Sequence, residues 1–174
     1  MVQQTKMANK KTNAEKRTLT KVLAIVRIRG EVGVTEKIET TLKLLRLHKK
    51  HRCVIVPANL NYTGMIRKVK DYCTFGEIDE ETVKELLEKR GRIVGDKPLT
   101  TEFLKSQKFT YDMLAKKIIA GEMTIKELEG LKPFFKLHPP RGGYERGGIK
   151  KPYSMHGALG YRGDAINKLL RRMI

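Results

Sequence analysis

The stretch VLAIVRIRGEVGVTEKIETTLKLLRLHKKHRCVIVPANLNYTGMIRKVKDYCTFGEI, residues 22–78, decides the fold of this chain. Its first part, residues 22–29, is rich in β-branched side chains and ends in alternation, which is typical of a strand. Residues 52–57 (RCVIVP) predict a second strand that closes on a proline, because proline cannot donate a hydrogen bond to a strand ladder. Residues 74–78 (TFGEI) predict a short third strand, although glycine weakens a strand interior.

Two amphipathic helices are predicted between the three strands. Residues 35–48 place Ile38, Leu42 and Leu45 at the spacing i, i+4 and i+7, and residues 63–73 also carry apolar groups at helical intervals. The order of elements is therefore strand, helix, strand, helix, strand. Such an order predicts an α+β sandwich in which both helices cover one face of a small sheet.

The chain beyond the third strand has a mostly helical pattern. Thr82 with Glu85, and Thr124 with Glu127, fit the capping box that marks a helix start, because each side chain satisfies a free backbone donor. Between these two positions, residues 111–119 predict a further helix.

The pattern changes again from Lys132 onward, where paired prolines and glycines interrupt PFFKLHPPRGGYERGGIKKPYSMHGALGYRGD, residues 133–164. Such pairs do not hold a regular helix or a central strand, so this stretch is expected to trace along a surface. Asp164 is the predicted N-cap of a short amphipathic helix that ends the chain.

The charge of the chain is strongly positive and unevenly distributed. The 174 residues hold 37 Lys and Arg against 19 Asp and Glu, which is a formal charge of +18 at pH 7. The excess is +5 over residues 1–21, +5 over 22–79, zero over 80–129 and +8 over 130–174. A folded chain of this charge repels itself unless an anion is near, so a polyanionic partner is expected.

We predict one globular unit with extensions, because a chain of this length buries one sizeable core and is short for two independent domains. Its expected parts are a basic N-terminal arm over residues 1–21, an α+β RNA-binding core over 22–79, a helical extension over 80–131, and a basic extended tail with a short C-terminal helix over 132–174. The arm has almost no bulky apolar groups, so we expect it to be flexible or weakly helical and to bind the partner or solubilise the chain.

Several classes of protein are disfavoured. The longest aliphatic run near the start, residues 22–26, is far shorter than a membrane span, and no signal peptide precedes it, so we expect a soluble, intracellular protein with no membrane partner. The two cysteines, Cys53 and Cys73, each lie inside a predicted element, and we expect reduced, packed thiols. The Cys and His residues form no close ligand pair, so neither a metal nor a cofactor is predicted.

RNA is the polyanion that the residue pattern favours. Basic residues share a stripe of the first helix, and those of the tail alternate with the rings of Tyr144, Tyr153, His156 and Tyr161. Cations interleaved with rings suit phosphate contacts and stacking on unpaired bases. No helix-turn-helix, zinc finger or basic zipper is present to enter a DNA major groove. The alternative is a solvated basic face with tyrosines in the core.

An enzyme is the competing hypothesis. The loop RGEVG, residues 29–33, together with Asn59 and Asn61, resembles the phosphate-binding loop and asparagine of acylphosphatases, small hydrolases that share a related sandwich. A tight strand-to-helix turn explains these glycines equally well, and no Walker sequence or nucleotide fingerprint occurs. Neither cysteine has a nearby general base in the sequence, so no nucleophilic site is predicted.

Residues 22–78 resemble, over their whole length, the core of the universal large-subunit ribosomal protein numbered thirty. FFKLHPPRGG (residues 134–143) and GDAINKLLRRMI (residues 163–174) are similar to its longer archaeal members and to the eukaryotic relatives numbered seven. The resemblance implies a ferredoxin-like sandwich, β-α-β-α-β, with a three-stranded antiparallel sheet and two helices on one face. It also implies a non-catalytic constituent of the large ribosomal subunit, located in the cytoplasmic ribosome. Such a constituent binds large-subunit ribosomal RNA and contacts neighbouring ribosomal proteins and 5S ribosomal RNA.

The predicted RNA contacts lie in the loops of the core, on its first helix and along the tail. They are Arg27, Arg29, Lys43, Arg46, Lys49, Lys50, Arg52, Arg67, Lys68, Arg141, Tyr144, Arg146, Lys150, Lys151 and Arg162. The basic arm is much shorter than in many eukaryotic members of the family. An assembly factor that binds ribosomal RNA and then leaves would share nearly all of these features, so it stays an open alternative.

Overall fold

Five strands form one mixed sheet in the computed structural model, which describes residues 22–174. The strands are β1 (Val22–Arg27), β2 (Arg52–Pro57), β3 (Cys73–Glu77), β4 (Phe135–Lys136) and β5 (Gly160–Tyr161). Their order across the sheet is β4-β2-β1-β3-β5, which places β1 at the centre. The predicted basic arm lies outside the described residues.

The strand directions bring the ends of distant segments together. β1 pairs antiparallel with both β2 and β3, so it ends where these two strands begin. β4 is antiparallel to β2, and β5 is parallel to β3. The sheet therefore has an upper end, marked by Arg27, Arg52 and Cys73, and a lower end, marked by Val22, Pro57 and Glu77.

Two helices, α1 (Glu36–Leu44) and α2 (Leu60–Val69), cover one face of the sheet. Ile25 of β1 packs there in one buried cluster with Leu42 of α1 and Ile66 of α2. The prediction of an α+β sandwich with two helices on one face is confirmed. α2 begins and ends three to four residues before its predicted bounds.

The opposite face is covered by the chain that follows β3. This part contains α3 (Glu80–Arg90), α4 (Thr101–Ser106), α5 (Tyr111–Ile119) and α6 (Ala165–Met173). Ala24 and Val26 of β1 share a buried cluster with side chains of α3 to α6. Every residue of β1 is buried, which explains its uninterrupted aliphatic run, since a strand covered on both faces needs no polar alternation.

The sheet has five strands where three were predicted. β4 and β5 are two residues long and extend the sheet at its two edges, beside β2 and β3. Strands this short have no periodic signal, and the glycines and prolines around them predicted an irregular segment. The expectation that the tail would only trace along a surface was therefore wrong, because it also pairs with the sheet edges.

Two predicted helix starts differ from the structure. α3 begins after Asp79, so Thr82 lies inside the helix, where its hydroxyl is buried without a hydrogen-bond partner among the described residues. Thr124 donates from Oγ1 to Glu127 Oε1 at 3.1 Å, but it precedes only a short 3-10 helix, Ile125–Glu127. The helix predicted over residues 111–119 is confirmed as α5. Asp164 precedes α6, but its side chain makes no capping hydrogen bond there.

Cys53 and Cys73 are buried free thiols in the two different core clusters, as predicted. Burial raises the pKa of each thiol to about 12, so both stay protonated and unreactive at neutral pH. Within residues 22–174, no helix combines the length and apolarity needed to cross a bilayer. The same residues contain no group of three His, Cys, Asp or Glu side chains placed to hold a metal.

Candidate nucleic-acid interface

Three loops meet at the upper end of the sheet, and they carry many of the predicted contact residues. β1 runs into the loop that starts at Ile28, residues 45–51 lead into β2, and residues 70–72 lead into β3. Backbone hydrogen bonds join them, since Arg29 N donates to Tyr72 O at 3.1 Å and His51 N donates to Arg27 O at 2.8 Å. Basic residues that are distant in sequence thus become neighbours.

Arg27 lies beneath this surface and not on it. Its residue exposure is 2%, and its guanidinium donates to the carbonyls of Leu47 (2.7 Å), His48 (2.6 Å), Gly30 (2.8 Å) and Arg29 (3.0 Å). These bonds join the loop after β1 to the loop before β2. The prediction that Arg27 contacts RNA is therefore corrected, because its donors are used by the protein and its side chain is shielded from any ligand.

Arg29 and Arg52 are partly exposed and lie on aromatic rings. The Arg29 guanidinium carbon is 5.0 Å from the centroid of the Tyr72 ring, and that of Arg52 is 4.5 Å from the centroid of Phe134. Arg29 also donates to Asp71 O at 3.3 Å. Stacking restrains each guanidinium plane and leaves donors at its edge for a further acceptor.

The exposed surface of the upper end is formed by predicted cations of the core. They are Arg46, Lys49, Lys50, Arg67 and Lys68. Within residues 22–174, the structure pairs none of the five with a carboxylate. Lys43 differs, because its Nζ lies 2.7 Å from Glu39 on the next turn of α1. The five unpaired cations form a surface whose charge the protein itself does not neutralise.

The tail crosses the same end of the sheet. Ile28 packs with Ala158 and Leu159 in a small buried cluster of its own. Four predicted cations of the tail are exposed, namely Arg141, Arg146, Lys150 and Lys151. Arg146 also lines a shallow cleft together with Glu145, Tyr153 and His156.

Arg162 holds the tail to the sheet. Its side chain is 2% exposed and donates to both carboxylate oxygens of Glu145 at 2.6 and 3.1 Å, to Thr74 Oγ1 at 3.1 Å and to Ala158 O at 3.0 Å. The guanidinium carbon lies 4.5 Å from the centroid of Tyr153. Arg162 is thus a buried cross-link, and its predicted contact with RNA is corrected for the same reason as that of Arg27.

Tyr144 is a second attachment point of the tail. Its hydroxyl lies 3.2 Å from His51 Nδ1, and the two rings are stacked with centroids 6.5 Å apart. Burial raises the pKa of Tyr144 to about 12 and lowers the pKa of His51 below its usual range. A neutral imidazole can accept the phenolic hydrogen bond at pH 7, so the ring of Tyr144 is engaged by the protein.

Three helices also finish at the upper end. α2 leads directly into β3, while His138 N donates to Met173 O at 3.0 Å and so places the end of α6 beside the start of the tail. Arg90, in the last turn of α3, donates to Ile174 O. Helix C-termini carry partial negative charge, which favours cations in the last turn. Arg90 and Arg172 were not predicted as contacts, although a basic residue in a last helical turn was an available signal.

Carboxylates gather towards the lower end. Glu80 and Glu81 form the first turn of α3, where the helix N-terminus favours negative charge. Tyr161 donates its hydroxyl to Glu77 at 2.9 Å, and Lys84 Nζ lies 2.6 Å from Asp112. Several carboxylates therefore lie towards the lower end, whereas the five unpaired cations of the core lie at the upper end.

An α+β sandwich with unpaired cations at one end of its sheet has the architecture of a small polyanion-binding protein. The family described as ribosomal protein L30p/L7e has a model that matches residues 23–73, from β1 to the first residue of β3.

Archaeal relatives match far more of the chain. The protein named large ribosomal subunit protein uL30 in Methanococcus vannielii is 55% identical over 152 residues, covering 87% of this chain and 98% of the relative. The protein of that name in Nanoarchaeum equitans is 54% identical over 87% of this chain and 97% of the relative. The one in Hyperthermus butylicus is 49% identical over 96% of this chain and 97% of the relative. The chain belongs to this ribosomal protein family in its archaeal form, as its sequence predicted.

Proposed function

We propose that the chain is a non-catalytic structural constituent of the large ribosomal subunit that binds large-subunit ribosomal RNA through the upper end of its sheet. Archaeal relatives at 49–55% identity carry the name of a large-subunit protein, which supports this assignment. The observation that carries RNA binding is the set of five exposed cations without carboxylate partners on adjacent loops and on the last turn of α2. The setting is the cytoplasmic ribosome, with neighbouring ribosomal proteins and 5S ribosomal RNA as further partners.

The chemistry of the interface is neutralisation of phosphate. Each phosphate contact releases condensed counterions, so affinity accumulates over many cations and falls steeply with salt. Arg46 and Arg67 can bind a phosphate through two donors, while Lys49, Lys50 and Lys68 act as point charges. No base-reading element is required for this mode, which suits an irregular folded RNA.

Contacts within the chain hold the loops and the tail of the proposed interface together. Arg27 joins two loops of the core, Arg162 joins the tail to β3, and Tyr144 joins the tail to His51 before β2. A surface that is already ordered loses less conformational entropy on binding than a flexible one. The buried arginines thus support RNA binding by positioning the exposed cations.

The geometry disfavours the hydrolase alternative. Arg29 follows β1 at the upper end, whereas Asn59 and Asn61 follow β2 at the lower end. A six-residue strand separates these positions by roughly 17 Å, so they cannot share one small anion. Membership of a structural ribosomal protein family supports the same conclusion.

We also propose that the chain has four parts with separate roles. Residues 22–79 supply most of the cations of the interface, residues 80–131 cover the second face of the sheet, and residues 132–174 supply the edge strands and further cations. The basic arm, residues 1–21, would add phosphate contacts of its own because six of its residues are Lys or Arg.

Removing cations from the upper end tests the proposal. We expect K49Q/K50Q/R67Q to weaken binding to in-vitro-transcribed large-subunit ribosomal RNA of Methanococcus vannielii and to reduce the salt slope by about 2.5, because three phosphate contacts are lost. Fluorescence anisotropy between 50 and 200 mM KCl measures both quantities. The matched control is K105Q/K108Q/K126Q, which removes the same charge from exposed lysines of the helical extension.

Equal loss of RNA affinity in the two variants would mean that binding depends only on net charge, and it would contradict the proposal.

The assembly-factor alternative needs a separate measurement. A structural constituent stays in mature large subunits after a high-salt wash at one copy per subunit, whereas an assembly factor is absent from them. Quantitative mass spectrometry of washed subunits separates the two outcomes.

A further inference from the structure

Four arginines come together where α3 and α6 end. Arg90 and Arg92 lie at the end of α3 and just after it, Arg172 lies in the last turn of α6, and Arg141 lies on the tail segment that passes between them. Three of the four, Arg90, Arg92 and Arg172, were not predicted to contact RNA. We call these four residues the arginine cluster.

Backbone contacts fix the arrangement. Arg141 N donates to Arg172 O at 2.9 Å, and Arg172 Nε donates back to Arg141 O at 2.9 Å. Arg141 occupies the second position of a turn closed by a 2.9 Å bond from Gly143 N to Pro140 O. The third position of this turn, Gly142, has a φ of +77°, which favours glycine. The Arg141 side chain therefore leaves from a tight turn held against the end of α6.

No Asp or Glu side chain neutralises the charge of the cluster. Within residues 22–174, none of the four arginines forms an ion pair with such a side chain, and Arg90 alone has an oxygen of the last residue, Ile174, as a partner. Burial lowers the pKa of Arg90, and the positive charges of Arg92 and Arg141 lower it further. Like charges held together in this way favour a bound anion.

Capping of the two helix ends does not account for the whole cluster. Arg172 does donate to the backbone carbonyls of Arg141 and Gly143, and Arg90 donates to the oxygen of the last residue, Ile174. The side chains of Arg92 and Arg141 make no hydrogen bond to any described residue, and Arg90 Nε is buried without a partner. Each guanidinium has five donors, so most donors of the cluster remain available.

We infer that Arg90, Arg92, Arg141 and Arg172 form a second phosphate-binding site, which takes a backbone phosphate of ribosomal RNA. This inference rests on the proposed function and adds a site to it. The five unpaired cations of the core surround the loops beside α1 and α2, whereas the cluster lies on the opposite side of the sheet, where α3 and α6 end. RNA would then be held on both sides of the upper end.

The test uses the two arginines whose side chains make no internal hydrogen bond. We expect R92Q/R141Q in the full chain to weaken binding to the same ribosomal RNA by about tenfold at 100 mM KCl and to reduce the salt slope by about 1, because one phosphate contact is lost. The control K105Q/K108Q removes equal charge from exposed lysines of the same extension and should change affinity less than about twofold. R92K/R141K should keep the salt slope but bind less tightly, because lysine lacks the paired donors.

The outcomes separate the inference from the function on which it rests. The proposed function is overturned if the unmodified chain fails to bind the RNA. It is also overturned if K49Q/K50Q/R67Q binds the RNA as tightly as the unmodified chain does. If K49Q/K50Q/R67Q loses affinity while R92Q/R141Q keeps affinity and slope, only the second site is overturned. If R92Q/R141Q and K105Q/K108Q lose affinity equally, the effect is one of net charge and the site is also overturned. Thermal unfolding of each variant shows whether it is folded.

A second arm distinguishes RNA from free phosphate as the ligand. Thermal unfolding of the unbound chain and of R92Q/R141Q is measured in chloride and in inorganic phosphate at equal ionic strength. A stabilisation by phosphate that R92Q/R141Q loses, combined with unchanged RNA affinity, would assign the cluster to free phosphate and overturn the RNA site. Loss of RNA affinity in R92Q/R141Q without such a stabilisation supports a phosphate held within RNA.

Discussion

Arg27 and Arg162 are buried arginines whose guanidinium groups the protein satisfies in different ways. Arg27 donates to four backbone carbonyls, whereas Arg162 pairs with Glu145 and also donates to Thr74 and Ala158. A buried charge is tolerated only with such partners, because transfer of an unpaired ion from water costs several kcal/mol. Both residues therefore cross-link segments that carry the exposed cations.

Replacement of Arg162 by methionine should destabilise the chain. Thr74 and the partly buried Glu145 lose their partner, so we expect the free energy of unfolding to fall by about 2–3 kcal/mol. The expected loss is smaller than the largest losses seen when one partner of a buried ion pair is removed, because Glu145 keeps some contact with water. Urea denaturation measures the change. The exposed Arg146→Met change serves as the control and should stay within about 0.5 kcal/mol; equal stabilities of the two variants would contradict the cross-link.

The sequence revealed the charge of the predicted contact residues but not their burial. Arg27 and Arg29 have the same chemistry and alternate along one strand pattern, yet Arg27 is buried and Arg29 is partly exposed on Tyr72. The difference arises because residues 47 and 48, twenty positions further on, fold over Arg27. Such a contact has no signature in the local pattern.

At the scale of elements, β3 shows how the extension is joined to the core. A Cβ at Gly76 would lie 2.1 Å from Gly163 O and 3.1 Å from Ile166 Cβ, so the backbone before α6 approaches the strand closely. The glycine that weakened the prediction of a third strand is thus required by packing. The partner backbone lies almost ninety residues away, so the sequence did not reveal this reason.

Replacement of Gly76 by alanine should be costly, whereas the same change at Gly64 should not. We expect G76A to lose about 2 kcal/mol or more of unfolding free energy, because a carbonyl of the backbone must move. Gly64 lies in α2 and has open space where a Cβ would lie, so G64A should gain about 0.5–1 kcal/mol from helix propensity. Thermal or urea unfolding tests both, and a tolerated G76A would show that the two segments are not tightly joined.

Asp96 connects the turn after α3 to the residues around β4. Its carboxylate accepts hydrogen bonds from Lys132 Nζ at 2.5 Å and Lys136 Nζ at 2.6 Å. These bonds lower the pKa of Asp96 to about 2 from its ordinary value of 3.8. Because the folded-state pKa is depressed, the stabilising contribution is present above about pH 4 and is lost as the pH falls through 2.

The pH dependence of unfolding tests this connection. We expect D96N to flatten the fall in stability between about pH 4 and pH 2, because the variant has no carboxylate to protonate. Urea midpoints measured across this range report the difference. The contacts between Asp96 and the two lysines are exposed to solvent. In 1 M KCl the difference in stability between D96N and the unmodified chain should therefore become smaller. Parallel profiles at low salt would mean that the lysines do not stabilise the charged carboxylate.

At the scale of the whole molecule, the central sheet depends on both halves of the chain. The face of β1 that carries Val22, Ala24 and Val26 is covered only by residues after Glu77 among those described. The clustered cations of the upper end depend on the same architecture, because α3 and α6 place their last turns there. Folding and the interface are therefore coupled through the extension.

Truncation of the chain after residue 79 should leave the core without a stable fold. The exposed face would include Val22, Ala24, Val26 and Ile55, a continuous apolar patch that promotes association. We expect the fragment to aggregate or to lack a cooperative thermal transition in circular dichroism, whereas the full chain shows one. A monomeric fragment with cooperative unfolding would show that the extension is not needed for folding of the core.

Local sequence was sufficient for the α+β class, the central strands, the helices other than α4 and the cationic character of the proposed interface. These properties follow from periodicity and composition, which act over a few neighbouring residues. Tertiary structure alone settled the two short edge strands, the covering of the second face, the burial of Arg27 and Arg162, and the gathering of Arg90, Arg92, Arg141 and Arg172. Each of these depends on contacts between distant segments, such as Thr74 with Arg162 at a separation of 88 residues, whose free energy is set by packing and burial in three dimensions.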